Sequence, residues 1–202
     1  MRKIITTTFV SLDGVMQAPG GPEEDTSNGF AYGGWQAGWG DASTHKILAD
    51  FMATPFELLL GRRTYDIFAG YWPFHPEMEL IATPFNSSKK YVVSHADMEL
   101  PWNNSALITG DVAAELKKLK TLNGPDLWVW GSGNLVQTLL KNDLIDRMHI
   151  WTYPVTIGNG KKLFTDGTQA RQFKLIDSKI DSTGVIYATY DADGALRTGS
   201  LV

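Results

Sequence analysis

The chain has 202 residues, no cysteine and a formal net charge of −4. A chain of this length is expected to fold as one domain. The lack of cysteine excludes disulfides and thiol catalysis, and the acidic balance disfavours nucleic-acid binding, which needs a basic face. The N-terminus has no apolar run typical of a signal peptide, and no stretch of about 18 apolar residues predicts a membrane span. We therefore expect a cytoplasmic protein.

The first predicted strand covers 3–10, where β-branched and aromatic residues form a buried run. The segment from 11 to Gly40 is rich in glycine, proline and aromatic residues and shows no clear periodicity. A connection of that length in a compact domain is typical of a lid or a binding loop. A helix is predicted over 43–53, with Ser43 as its N-cap.

Two later segments repeat one order of elements, an apolar strand followed by glycine and then a helix. In the first, a strand over 57–60 runs into Gly61 and a helix over 62–69. In the second, a strand over 127–130 runs into Gly131 and a helix over 134–141. Such a junction aims backbone N–H groups and a helix N-terminus at a phosphate. Two junctions, one with tandem arginines, indicate a ligand with several phosphates.

The rest of the chain supplies the other strands and helices of one domain. Three prolines, Pro73, Pro76 and Pro84, predict a loop-rich crossover after the first junction. The remaining predicted elements are strands over 89–94 and 106–109, a helix over 112–122 capped by Asp111, a strand over 146–153, and a hairpin of 172–180 and 184–190. This order predicts an α/β fold with a mostly parallel sheet, helices on both faces and an antiparallel C-terminal hairpin. We expect a single domain over 1–191 and a loose tail over 192–202.

Five motifs at strand ends follow one another along the chain. They are Ser11-Leu12-Asp13-Gly14, Gly61-Arg62-Arg63-Thr64-Tyr65, Val92-Val93-Ser94, Gly131-Ser132-Gly133-Asn134-Leu135, and the segment from Pro154 to Phe164. In this order they resemble the dihydrofolate reductase-like superfamily, in the branch of the riboflavin-biosynthesis (pyrimidine) reductase domain. The resemblance covers roughly residues 3–190.

The resemblance implies a dihydrofolate reductase-like fold and an NADPH-dependent reductase. The reaction would transfer hydride to a C=N or C=O group of a small pyrimidine- or pterin-like substrate. The positions that carry over as cofactor-binding residues are Val10, Asp13, Gly14, Gly61, Arg62, Arg63, Thr64, Ser94, His95, Gly131, Ser132, Gly133, Asn134 and Leu135. Either arginine can form a fork onto a 2′-phosphate. A structural interpretation as a helix start, turn or bend stays open for each motif, and Asp13 can simply make a turn.

The proton donor is the least defined part of this prediction. Dihydrofolate reductases carry a carboxylate in the first helix, and the corresponding helix here offers Asp50 and His45 as catalytic candidates. Both also fit an ordinary helix surface, so dihydrofolate reduction proper and a non-catalytic NADP-binding module stay open as alternatives. The aromatic and glycine-rich segment 30–39 fits either a stacking surface for a flat heterocycle or a homodimer interface. Four scattered histidines predict no metal site.

Overall fold

The computed structural model describes residues 1–200, which form eight strands and five α-helices in one layered α/β unit. The strands are β1 (Ile4–Ser11), β2 (Phe56–Gly61), β3 (Lys90–Val93), β4 (Ser105–Ile108), β5 (Asp126–Trp130), β6 (Arg147–Tyr153), β7 (Arg171–Ile180) and β8 (Ile186–Ala195). The helices are α1 (Ala42–Met52), α2 (Arg62–Ala69), α3 (Glu79–Ser87), α4 (Val112–Thr121) and α5 (Gly133–Lys141).

All strands belong to a single sheet in the order β4-β3-β2-β5-β1-β6-β8-β7. The pairs from β4 to β6 are parallel, whereas β8 runs antiparallel to both β6 and β7. The predicted fold class, a mostly parallel sheet with an antiparallel C-terminal hairpin, is therefore confirmed. The parallel strands bring their carboxyl ends to one edge of the sheet, where ligands bind in folds of this class.

The sheet is covered on both faces because side chains alternate along its central strands. Ile4 of β1 and Leu127 of β5 pack with α4 and α5 on one face. Ile5 and Trp128 pack on the other face, which carries α1 and α3. Burial on both faces explains why β5 contains the continuous apolar run Leu127-Trp128-Val129-Trp130. The three threonines at the centre of β1 are buried as well.

Helix α1 is capped by Asp41, so the prediction of Ser43 as its cap is wrong. Asp41 Oδ1 accepts hydrogen bonds from the N–H groups of Ser43 (2.7 Å) and Thr44 (3.3 Å), and Thr44 Oγ1 accepts from Asp41 N–H (2.9 Å). This reciprocal pair is a capping box. Asp41 Oδ2 also accepts from the N–H of Ser182 (3.0 Å), so the cap fastens α1 to the turn between β7 and β8.

Two other boundaries differ from the predicted ones. Helix α3 contains Pro84 in the segment predicted as a loop-rich crossover. The buried side chains of Ala82 and Phe85 anchor this helix to the core, so tertiary packing overrides the proline signal.

Strand β8 continues to Ala195, so 192–195 are not part of a loose tail. Asp191 holds this end of β8 through an ion pair with Arg147, and Ala192 N–H donates to Asp146 O at 3.0 Å. Residues 196–200 have no regular secondary structure, and the tail predicted for 201–202 lies outside the described residues. Among residues 1–200, no helix combines the length and the apolar character that crossing a bilayer requires.

Candidate functional site

A cleft of about 1850 Å³ opens at the carboxyl ends of the parallel strands. Strands β1, β2, β3 and β5 contribute its floor, and helices α1, α2 and α5 contribute its walls. The segment 16–25 after β1 and the segment 160–166 after β6 complete its rim. A cleft of this size at this edge of an α/β sheet is the expected place for a ligand.

Two helix N-termini face this cleft side by side. Helix α2 begins directly after β2, and two residues separate β5 from α5; neither helix has a side-chain cap. The first hydrogen bond of α5 joins Val136 N–H to Ser132 O (3.0 Å). The N–H groups of Gly133, Asn134 and Leu135 precede this bond and therefore have no acceptor within the helix. With the partial positive charge of a helix N-terminus, these N–H groups form a site suited to an anion.

Ser132 locks the two junctions together. Its Oγ accepts a hydrogen bond from Gly61 N–H (3.0 Å) and donates one to Trp130 O (3.1 Å), and its N–H donates to Thr64 Oγ1 (3.1 Å). Ser132 and Gly131 adopt left-handed backbone conformations, with φ of 56° and 57°. A Cβ at Gly131 would make only ordinary contacts, at 3.6 Å from Thr64. In this structure Gly131 therefore serves the backbone turn rather than relieving a close contact.

The tandem arginines have different surroundings. Arg63 pairs with Asp25 Oδ1 (2.6 Å), while Lys161 pairs with Asp25 Oδ2 (2.6 Å). Burial opposes the charged form of Asp25, but hydrogen bonds from Lys161 and Ser27 outweigh it and hold the pKa of this carboxyl below its usual value. Asp25 thus ties the loop after β1 to α2 and to the segment after β6.

Arg62 is the less constrained arginine. Its side chain is 54% exposed, and its Nε lies 3.5 Å from Asp66 Oδ2 on the same helix. An exposed pair at this distance holds the guanidinium weakly. Arg62 is therefore available to an incoming anion, whereas Arg63 must first leave Asp25.

At the end of β3, Ser94 and His95 both line the cleft, but they differ in accessibility. The Ser94 hydroxyl donates to Ala96 O (2.7 Å) and accepts from Ala96 N–H (3.2 Å), which is a local turn. His95 is exposed next to it. Of the two, His95 is the side chain with freedom to contact a ligand.

The sequence matches the RibD C-terminal domain family over residues 2–187. The chain belongs to this family. The RibD C-terminal domain family is of the reductase type. The chain is also 28% identical to the uncharacterized protein YyaP of Bacillus subtilis over 196 residues, which cover 96% of each chain.

Two solved structures share the fold of this RibD C-terminal domain. One is a protein named for riboflavin biosynthesis from Shewanella sp. PV-4, with a TM-score of 0.67, 21% identity, and coverage of 95% of this chain and 99% of that one. The other is the dihydrofolate reductase of Enterococcus faecalis complexed with NADP(H), with a TM-score of 0.60, 13% identity, and coverage of 95% and 96%. The dihydrofolate reductase-like fold implied by the sequence motifs is thereby confirmed.

Most of the predicted cofactor-binding positions line one cleft in this RibD C-terminal domain. They are Gly61, Arg62, Arg63, Thr64, Ser94, His95, Gly131, Ser132, Gly133, Asn134 and Leu135. They come from three separate strand ends, so the fold brings together what the sequence holds apart. Their role in cofactor binding stays a prediction.

Val10, Asp13 and Gly14 do not line the cleft. Strand alternation points Val10 into the core beneath α5. Asp13 accepts hydrogen bonds from the Ser11 hydroxyl (2.7 Å) and from the N–H groups of Ile157 (3.0 Å) and Gly158 (2.8 Å), which lower its pKa to about 2. Asp13 and Gly14 thus fasten the loop after β1 to the segment after β6. A contact of Val10, Asp13 or Gly14 with a cofactor stays a prediction.

The structure also places His45 and Asp50 away from the cleft. Both are exposed on the outer face of α1, and Asp50 lies 3.4 Å from Lys46. Thr44 and Leu48 are the α1 residues that line the cleft. Helical periodicity explains this outcome, because His45 and Asp50 point away from the face that carries Thr44 and Leu48. The structure therefore does not support His45 or Asp50 as proton donors.

Three functional candidates were missed by sequence reasoning: Glu24, Asp25 and Lys161. Glu24 lines the cleft, and its Oε2 accepts a hydrogen bond from Gly20 N–H (2.7 Å). Burial raises the pKa of the Glu24 carboxyl. The available signals were the acidic run at 23–25 within a long loop and the lysine within the fifth motif.

Within the aromatic segment 30–39, Phe30 and Trp35 pack inward, whereas Tyr32 is 59% exposed. Trp35 donates from Nε1 to Gln17 O (2.8 Å) and contacts Tyr153 edge to face at 5.4 Å between ring centroids. Gln36 is the residue of this segment that lines the cleft. The segment thus anchors the long loop to the core, and a homodimer stays a prediction.

Proposed function

We propose that this protein is an NADPH-dependent reductase that transfers hydride to a C=N or C=O group of a small heterocyclic molecule. The observation that carries this proposal is the pair of uncapped helix N-termini held side by side by Ser132 in one cleft. Two adjacent sites for anions fit a pyrophosphate better than a single phosphate. The NADP(H) complex of the E. faecalis protein with the same fold supports the choice of cofactor.

The residues present fit a dinucleotide that carries an additional phosphate. The N–H groups of Gly133, Asn134 and Leu135 would hold the pyrophosphate at the start of α5. Arg62, with His95 nearby on the rim, would hold the 2′-phosphate, because a guanidinium donates two parallel hydrogen bonds to such a group. The cofactor would supply the hydride.

The protein's own contribution is to orient the reactants, exclude water and provide a proton. The loop after β1 closes one side of the cleft and is fastened there by Asp25. We assign the proton to Glu24, because its carboxyl lines the cleft and burial favours its protonated form. The other loop carboxylate, Asp25, is held ionised by two cationic partners and cannot serve.

Calorimetric titration of the protein with NADP⁺ and with NAD⁺ tests the cofactor assignment. We expect NADP⁺ to bind about tenfold more tightly or better, because charged hydrogen bonds to the 2′-phosphate are strong. Oxidation of NADPH would then be followed with dihydrofolate, pterins and ribosylamino-pyrimidines. No heat of binding from either dinucleotide at millimolar concentration would refute the proposal, whereas tight binding without turnover would leave a non-catalytic NADP-binding module.

A further inference from the structure

The turn that carries Glu24 into the cleft is closed on itself by two hydrogen bonds. Glu24 N–H donates to Gly21 O (3.2 Å), and Gly20 N–H donates to Glu24 Oε2 (2.7 Å). Both bonds lie within the turn, so the place of the Glu24 carboxyl in the cleft depends on what holds residues 20–25 as a whole. Two supports outside these bonds do this, one charged and one steric.

The charged support is the buried carboxylate of Asp25, which follows Glu24 in the chain. Its oxygens pair with Arg63 of α2 (2.6 Å) and with Lys161 of the segment after β6 (2.6 Å). The hydroxyl and the N–H of Ser27 also donate to Asp25 Oδ1, at 2.6 Å and 3.1 Å. Moving a buried carboxylate away from its cations is costly. The end of the turn is therefore fixed to two walls of the cleft.

The steric support is Gly33, which lies against the backbone of the same turn. A Cβ at this position would come within 2.6 Å of Pro22 O, 2.7 Å of Gly21 O and 2.8 Å of Pro22 Cα. Because backbone atoms cannot rotate away as a side chain can, a larger residue here would displace the turn. Gly21 O is also the acceptor of the Glu24 N–H bond. Gly33 therefore fixes the start of the turn, although it does not line the cleft.

The chain around Gly33 is itself anchored to the start of the loop. Gly34 N–H donates to Ala18 O at 2.8 Å, and Gln36 N–H donates to Pro19 O at 3.1 Å. These bonds hold Gly33 against the turn, so a side chain added at this position could not be accommodated by a simple shift of residues 33–36.

Building on the reductase function above and on Glu24 as its proton donor, we propose that Asp25 and Gly33 are positioning residues that hold the Glu24 carboxyl in the cleft. Neither delivers the proton itself, because Asp25 is occupied by two cations and Gly33 has no side chain. Together they keep Glu24 away from water. Burial raises the pKa of the Glu24 carboxyl, and the negative charge of Asp25 adds to this rise, so both supports favour the protonated acid.

The test follows the titration of the Glu24 carboxyl by carbon NMR, in protein labelled at the glutamate carboxyl groups, and needs no substrate. The signal of Glu24 is the one that is absent from Glu24→Gln. The variants are Asp25→Asn and Gly33→Ala. The matched controls are Asp191→Asn, which removes an ion-paired carboxylate outside the cleft, and Gly199→Ala, where a Cβ would meet nothing within 4 Å.

In the unmodified protein Glu24 should titrate at a pH above 4.5, its ordinary pKa. In Asp25→Asn and Gly33→Ala this pKa should fall toward 4.5, because a displaced turn exposes the carboxyl to water. Both controls should match the unmodified protein. With a substrate that supports NADPH oxidation, kcat of the two variants should fall about 10- to 100-fold, and its decline with pH should begin at a lower pH.

Hydrogen exchange separates a displaced turn from a simple loss of charge. The N–H groups of Gly20 and Glu24 close the turn, so they should exchange severalfold faster in Asp25→Asn and in Gly33→Ala than in the controls. Circular dichroism reports whether each variant is folded. The exchange rates and the titration of Asp25→Asn decide the question by themselves if Gly33→Ala does not fold.

Two results would overturn the positioning role. One is an unchanged pKa of Glu24 in the folded variants. The other is a lower pKa in Asp25→Asn with unchanged hydrogen exchange, because Asp25 would then act through its charge alone. Failure of the unmodified protein to bind NADP⁺ would instead refute the cofactor assignment and would not alter the titration of Glu24, so the two failures are distinguishable.

Discussion

The hydroxyl of Ser132 accepts a hydrogen bond from the backbone N–H of Gly61 at 3.0 Å, across 71 residues of sequence. This bond joins the start of α5 to the end of β2, from which α2 departs. The positions of the two helix N-termini are therefore set together and not one by one. A ligand that spans both N-termini depends on Ser132 for their spacing, because its N–H also donates to Thr64 Oγ1 at 3.1 Å.

Ser132→Ala should weaken NADP⁺ binding about tenfold, since it removes one of the two hydrogen bonds that fix this spacing. It should also lower the free energy of unfolding by about 2 kcal/mol, because the hydroxyl bonds both Gly61 N–H and Trp130 O and each bond has a net value of about 1 kcal/mol. Calorimetry and urea unfolding measure the two effects. Ser87→Ala is a suitable control, because its hydroxyl donates to Thr83 O on the exposed side of α3. Unchanged NADP⁺ affinity in Ser132→Ala would show that the spacing does not matter.

The two arginines should give different results when replaced singly. Arg62→Ala should remove most of the preference for NADP⁺ over NAD⁺, about tenfold or more, because Arg62 is available to the 2′-phosphate. Arg63→Ala should change the affinity for both dinucleotides alike, because Arg63 holds the loop through Asp25. The test is to measure the dissociation constants of NADP⁺ and NAD⁺ for each variant and compare their ratios. A selective effect of Arg63→Ala, with none from Arg62→Ala, would reverse the assignment.

The proton assignment predicts a pH dependence with a definite sign. Burial raises the pKa of Glu24, and the protonated form is the donor. Turnover should therefore fall as the pH rises through this raised pKa. Glu24→Gln should lower kcat at least about 100-fold and flatten the profile, with unchanged NADPH affinity. The dependence of kcat on pH is measured with any substrate that supports NADPH oxidation.

The neighbouring carboxylate and the two former candidates provide controls for Glu24. Glu23→Gln, His45→Gln and Asp50→Asn should all keep the full rate and the full pH profile, because these three side chains are exposed. If Glu24→Gln retains the same rate and profile as these controls, the proton comes from water or from the substrate.

A buried histidine predicts how stability depends on pH. His149 lies 4.5 Å from the ring of Phe51, and burial with the nearby charge of Arg147 lowers its pKa from 6.5 to about 4. The unfolded chain therefore takes up a proton at a higher pH than the folded one. The contribution of His149 to the free energy of unfolding should be complete above pH 6.5 and should decrease as the pH drops from 6.5 toward 4.

By about pH 5, His149 should lower the free energy of unfolding by about 2 kcal/mol relative to neutral pH. Urea unfolding at neutral pH and at this pH measures it. His149→Gln can keep a hydrogen bond to Thr189 Oγ1, now 2.9 Å from the imidazole Nδ1, but should lose this component of the pH dependence. His75→Gln, which replaces a half-buried histidine stacked on Tyr71, should retain it. An identical pH dependence in His149→Gln would contradict the assignment.

The sequence by itself determined the two strand–glycine–helix junctions at Gly61 and Gly131. Local periodicity identifies a strand and a helix, and glycine marks the turn between them. Because strands alternating with helices form parallel sheets, their carboxyl ends must meet at one edge. The fold class and the general location of the cleft followed from these local signals, and the resemblance to reductases rested on the same motifs.

Only the tertiary structure decided which side chains are free to act within that cleft. Nothing near Arg63 in the sequence indicates that Asp25 holds it, and Asp25 reaches Lys161 across 136 residues. Likewise, the face of α1 that meets the cleft depends on how the helix packs, and this places Leu48 inside and Asp50 outside. Pairings between distant segments and the rotation of a helix against its sheet arise from packing of the whole chain, which local patterns do not encode.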